Sequence, residues 1–217
     1  MPNLAQLYDD LAETYAASRH LFDTTPILAD FAHDFPVGGW ILDVGCGAGE
    51  PVARYFVDRG DRVTGIDVSE RMLTLARRQV PEATFHAMDM RSLAFPSASF
   101  TAITAVYAVF HLPRADHAAL FAGFARVLTP GGRLLLTLAT QEYTGQEEFD
   151  GEMEFIGHRL PYSHDRPELA LSKLEAAGLT VVSARLIEAG GETFYWIVAR
   201  KPVEQAGVHL TTTPGPL

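Results

Sequence analysis

Cysteine is almost missing from this sequence: Cys46 is the only one in 217 residues. That excludes a disulfide framework and a metal site built on paired cysteines. Long apolar runs are missing too. No stretch approaches the roughly 20 apolar residues of a membrane span, and no basic segment leads into an apolar one as in a secretory signal. Basic residues are scarce. Seventeen Lys and Arg stand against 27 Asp and Glu, a formal charge of −10, which argues against holding nucleic acid by phosphate neutralisation. No period of roughly 20–50 residues recurs, so a solenoid is excluded. What is present is a full apolar complement, 47% of the chain. At roughly 100–200 residues per domain this is one domain, large enough to bury about 70% of its unfolded surface. The expectation is an acidic, soluble, cytoplasmic protein, monomer or homodimer, without nucleic-acid or membrane partners.

Leu4, Leu7, Tyr8, Leu11 and Tyr15 fall at helical spacing, and a second helix is expected from Thr25 to Phe35. The pattern then changes. Trp40 to Val44 reads as a buried strand ending in glycines, followed by a helix with Val52, Tyr55 and Phe56 on one face. Arg62 to Asp67 is a second strand, with Ser69 capping a helix to Gln79. Ala83 to Ala87, Phe100 to Val106 and Arg133 to Leu138 are three more, with a helix over Leu120 to Leu128 between the last two. Short apolar strands alternating with helices imply a parallel sheet covered on both faces. A polar, acidic interruption over 140–164 breaks the rhythm and reads as a lid insertion, its run of Glu147, Glu148, Asp150, Glu152 and Glu154 as solvated loop. A helix over Asp165 to Ala177 follows. Thr180 to Ile187 and Thr193 to Ala199 are then close enough to pair only as an antiparallel hairpin. The domain is expected to span 1–201, with a helical cap (1–36), a core (37–139), the insertion, and the last helix and hairpin (165–201); 202–217 reads as an extended tail.

The chemistry gathers at strand ends. After the first strand comes Asp43-Val44-Gly45-Cys46-Gly47-Ala48-Gly49, whose glycines allow a sharp turn and close approach of a ligand. A dinucleotide fingerprint needs its third glycine at position 50, which is Glu. Asp43, just before the loop, repels a pyrophosphate and suits an ammonium group. Asp67, about 20 residues on, stands where an acid accepts both hydroxyls of a ribose. Asp89, after the third strand, can accept from an adenine amino group, with Met90 as an apolar neighbour. Ammonium, ribose and adenine together describe one ligand.

These residues resemble the class I S-adenosylmethionine-dependent methyltransferases. Ile41 to Gly49 matches their first motif, Gly65-Ile66-Asp67-Val68-Ser69 the second, Asp89 the adenine-side acid, and Pro130 to Leu134 the turn before the fifth strand. Phe100 to Leu112 looks like the fourth-strand motif of the small-molecule branch, which includes the ubiquinone and menaquinone biosynthesis enzymes. That branch commonly has Asp after the leading Phe and two histidines near the end, where this sequence has Thr101, Phe110 and His111. The resemblance implies an α/β, Rossmann-like, seven-stranded and mostly parallel sheet with an antiparallel last strand, helices on both faces and an N-terminal helical cap. It implies S-adenosyl-L-methionine as cofactor, held by Asp43, Gly45, Cys46, Gly47, Gly49, Asp67, Val68, Asp89, Met90 and Val106.

The resemblance further implies methyl transfer to a small-molecule acceptor. His111, where the family places its reaction centre, is the candidate general base. Tyr8, Tyr15, Tyr107 and His111 are candidates for acceptor contact, as are His158, Tyr162 and His164 around the lid. Cys46 also reads as a small packed side chain. Val106-Tyr107-Ala108 is not the Asn/Asp-Pro-Pro-Tyr used on protein and nucleic-acid nitrogens, which favours a small organic acceptor. No metal is expected. The acid excess lies outside 35–139, where nine acids meet ten bases, so the segments covering the acceptor suit a neutral or cationic one. Two other readings remain: a non-catalytic cofactor-binding module, and a nicotinamide-dependent oxidoreductase.

Overall fold

The computed structural model describes residues 3–18, 23–189 and 192–203; most of the expected tail, from 204, lies outside the described residues. The short strand-forming runs of the core become β1 (Trp40–Val44), β2 (Arg62–Asp67), β3 (Thr84–Ala87), β4 (Phe100–Ala105) and β5 (Leu128–Leu138). With β8 (Thr180–Ala189) and β9 (Glu192–Arg200) they make one seven-stranded sheet, ordered β3-β2-β1-β4-β5-β9-β8. The first five strands pair parallel, while β9 runs antiparallel to both of its neighbours. The expected sheet and its reversed last strand are both present.

Helices α1 (Leu4–Ser18), α2 (Thr25–His33), α3 (Val52–Arg59) and α4 (Glu70–Gln79) serve one face of the sheet, and α5 (His117–Val127) and α7 (Pro167–Ala176) the other. Ser69 caps α4 by accepting from the Met72 N–H at 3.0 Å. The helices divide the core. Leu28, Phe31, Phe56 and Leu73 are buried on one side, and Leu120, Phe121, Phe124 and Leu174 on the other. Of the expected helical cap, α2 packs Leu28 and Phe31 into the core beside Phe56, and α1 lies across α4 and the later hairpin. Asp9 fastens α1, accepting from Ser69 Oγ at 2.6 Å and from the Arg71 N–H at 3.1 Å.

The acidic interruption is ordered structure rather than solvated loop. After α6 (Gln141–Thr144), β6 (Phe149–Phe155) and β7 (His158–His164) form a separate antiparallel hairpin. Its two-residue turn, Ile156-Gly157, has positive φ at both positions, the primed geometry that matches strand twist. Along β6, Phe149, Met153 and Phe155 pack inward while Asp150, Glu152 and Glu154 stay exposed. Strict alternation of apolar and acidic residues is the strand signal here; acidic composition alone had suggested loop. Among the described residues, no helix is long and apolar enough to cross a membrane.

Candidate active site

The strand order reverses between β1 and β4, and in such sheets the crevice at the carboxyl ends of those strands takes the ligand. A cavity of about 560 Å³ lies there. Its floor is the loop after β1. Gly45 and Gly47 both have positive φ, +68° and +51°. A Cβ on Gly45 would sit 2.5 Å from that of Ala108, so this close approach is open to glycine alone. Gly45→Ala is therefore expected to abolish cofactor binding and to cost about 1–3 kcal/mol of stability, read as a lowered melting temperature no longer raised by cofactor.

Asp67, at the end of β2, lines the cavity and accepts from the Gly47 and Ser69 N–H groups, both at 2.9 Å. Burial lifts its carboxyl above the usual carboxylate range, an effect partly offset by those two donors. Asp89 and Met90 line the same cavity beside Met88, Ile66 and Val68. Arg91 grips the Asp89 carboxylate at 2.5 Å and holds its pKa down.

Opposite stand the aromatic side chains. Beyond β4 the chain turns at Tyr107, with φ of +55°, into a single 3₁₀ turn over Val109–His111. His111 is 6% exposed. Its Nδ1 lies 2.8 Å from the Pro161 carbonyl on β7, and its Nε2 2.6 Å from Tyr8 Oη on α1. A carbonyl only accepts, so Nδ1 carries the proton and Nε2 takes the Tyr8 hydroxyl hydrogen. Burial pushes the His111 pKa down to about 4. His117 and His164 are lowered as well, chiefly by burial. Neutral histidine is thus favoured in the fold, and stability present above pH ~6.5 is lost as pH falls towards 4. For His111 alone the loss between pH 7.5 and pH 5 is about 2 kcal/mol, measurable by urea unfolding, and His111→Phe should flatten the dependence.

Tyr15, Tyr107 and Tyr162 complete the aromatic wall, with Asp150 and Glu152 at the rim. Of the residues singled out from sequence, Gly45, Gly47, Asp67, Val68, Asp89, Met90, Tyr8, Tyr15, Tyr107 and His111 all line this cavity. Asp43, Cys46, Gly49 and Val106 do not. Asp43 is buried under the loop, accepting from Thr104 Oγ1 at 2.8 Å. Cys46 turns its thiol into the core beside Gly65; burial, then Asp67 and Asp43, drive its pKa up, so the packed-side-chain reading fits it. Gly49 packs against Val80 and Ala76. Among the histidines of the insertion, His158 lies away from the cavity and His164 bonds Thr144 Oγ1 at 2.7 Å. Sequence reasoning missed Pro161, whose carbonyl carries no side-chain signal, and Asp9.

Comparison with known proteins agrees with this architecture. Residues 41–132 match a family described as a methyltransferase domain. A 105-residue stretch is 38% identical to 27-O-demethylrifamycin SV methyltransferase of Amycolatopsis mediterranei, covering 46% of this chain and 38% of that one. Over 170 residues, 77% of this chain and 52% of the relative, it is 29% identical to 2-methyl-6-phytyl-1,4-hydroquinone methyltransferase of a Synechocystis species. The matched parts thus amount to about half or less of those relatives' length. An S-adenosylmethionine-dependent methyltransferase from Methanosarcina mazei superposes with a TM-score of 0.70 at 21% identity, covering 82% of this chain and 98% of that one. S-adenosylmethionine is the cofactor of that neighbour, and the cradle here would suit it: Gly45 leaves no room for a Cβ, and two strand-end carboxylates stand near methionines. Residues 41–132 thus match a methyltransferase-domain family, and the chain as a whole has the fold of a solved S-adenosylmethionine-dependent methyltransferase.

Proposed function

We propose that this protein transfers a methyl group from S-adenosylmethionine to a hydroxyl-bearing small molecule of the quinol or alcohol kind, releasing S-adenosylhomocysteine. The observation that carries the proposal is the Tyr8–His111–Pro161 chain, a base with a defined tautomer at the cavity wall. When bound, S-adenosylmethionine supplies an activated methyl group on a cationic sulfur. Asp67 is assigned the ribose and Asp89 with Met90 the adenine. Tyr8, Tyr15, Tyr107 and Tyr162 orient an acceptor and exclude water, and His111 Nε2 takes its proton. Such orientation is worth roughly 7–11 kcal/mol. The hydroquinone-methylating relative supports the quinone-biosynthesis branch named by the fourth-strand motif.

A base is of use only to an acceptor that must lose a proton. A neutral amine needs none to attack, and the ammonium it becomes would not give its proton to an imidazole of pKa about 4. Among the described residues, Arg91 is the one cationic side chain lining the cavity, already engaged by Asp89 and Asp116. Neutral phenols and quinols should therefore be methylated faster than the same rings bearing a carboxylate, most clearly at low salt. The deciding experiment incubates the protein with methyl-labelled cofactor and a panel of phenols, quinols and amines. Label in a phenol or quinol supports the proposal. Cofactor binding without any product would instead favour a non-catalytic module, and binding of NADH an oxidoreductase.

A further inference from the structure

A buried polar network that methyl transfer itself does not use lies just behind His111. Ser163 Oγ donates to the Leu112 carbonyl and stands 3.3 Å from His117 Nε2. Since the hydroxyl gives its proton to Leu112, His117 Nε2 is the donor to Ser163 and its Nδ1 is bare. Among the described residues that Nδ1 has no hydrogen-bond partner, and it faces Asp165 Oδ2 at 4.0 Å. Lys173 Nζ bonds the Asp165 carboxylate and, at 3.0 Å, the Arg114 carbonyl. Arg114 pairs at 2.6 Å with Glu148, just before β6. Both ends of the hairpin are thereby fastened to residues 112–117, the segment that follows His111.

We propose that Ser163, His117, Asp165 and Lys173 are positioning residues that hold β7 in register, keeping the Pro161 carbonyl on His111 Nδ1 and the unprotonated Nε2 towards the cavity. The proposal rests on the reading of His111 as base. Pro161 lies two residues before Ser163, and His111 one before Leu112, so the Ser163–Leu112 bond is an adjacent crosslink bracing the Nδ1 contact. A strand advances about 3.3 Å per residue, so a slip of one residue takes the carbonyl out of reach. Free histidine favours the proton on Nε2. Without its carbonyl, His111 would revert to that tautomer and meet the acceptor with an N–H instead of a lone pair.

The test uses the full chain with Ser163→Ala, Lys173→Met and, as the conservative partner, Lys173→Arg. Nitrogen-resolved NMR of the His111 ring, assigned by its absence in His111→Asn, reads the tautomer without any acceptor. Wild type and Lys173→Arg are expected to hold the proton on Nδ1. Ser163→Ala and Lys173→Met should move it towards Nε2 with cofactor affinity unchanged, and lower kcat by up to the ~10²–10⁴-fold that a general base contributes. Should Lys173→Met fail to fold, Ser163→Ala decides alone. Folded variants that keep the proton on Nδ1 overturn the proposal. A shifted tautomer with undiminished kcat upholds the positioning role and overturns His111 as base.

Discussion

Asp67→Ala is expected to raise the dissociation constant for S-adenosylmethionine by about 10²–10⁴-fold. The carboxylate is fixed before any ligand arrives. It accepts from Gly47 and Ser69 at 2.9 Å each, so little ordering remains to be done on binding. Two ribose hydroxyls on a preorganised carboxylate are worth roughly 1.5–3 kcal/mol each as charge-assisted hydrogen bonds. Removal also leaves the Gly47 N–H without its acceptor and loosens the loop that forms the cavity floor. Asp67→Asn should fall between the two, because an amide keeps the shape but turns one acceptor into a donor. Asp89→Ala should cost less, since that side chain is 38% exposed and already shared with Arg91. Titration calorimetry gives all three constants, and an unchanged affinity for Asp67→Ala would remove the ribose assignment.

The sheet was legible because parallel strands buried on both faces are short apolar runs, and Trp40 to Val44 or Arg133 to Leu138 can hardly be read otherwise. The glycine loop and the acids at strand ends were legible for a related reason: strand ends are fixed points, so residues just beyond them converge. Less convergence was visible within the first motif itself. Gly45 and Gly47 reach the cavity, whereas Gly49 turns against α4 and Cys46 into the core, because successive residues of a tight turn face different ways. Contacts between distant segments carried no local signal. Tyr8 and His111 are 103 residues apart in sequence, and each alone reads as a packed side chain on a helix or turn. The tie from Asp9 to Ser69 spans 60 residues and takes its meaning only once α1 is laid on α4. The hairpin was lost for a different reason. Five acids in eight residues outweighed the period-two alternation that placed three of them on one exposed face.

His111→Ala is expected to lower kcat by about 10²–10⁴-fold while cofactor affinity holds, and Tyr8→Phe to lower it less. The reason lies in when the proton leaves. An acceptor hydroxyl is a poor acid at the outset, but as its oxygen takes the methyl group the remaining proton becomes strongly acidic. A base of pKa about 4 is then strong enough, and its low value keeps Nε2 unprotonated from pH 6 to 9. Turnover should consequently stay flat from pH 6 to 9, without the inflection near ~6.5 of an ordinary histidine. Tyr8 donates to Nε2 in the absence of an acceptor, so Tyr8→Phe removes that hydroxyl but keeps the ring in the wall and leaves the nitrogen available. The residual rate of His111→Ala measures what orientation alone contributes. If His111→Ala kept full turnover across that range, the aromatic wall would be the whole of the acceptor machinery and proton removal would fall to solvent.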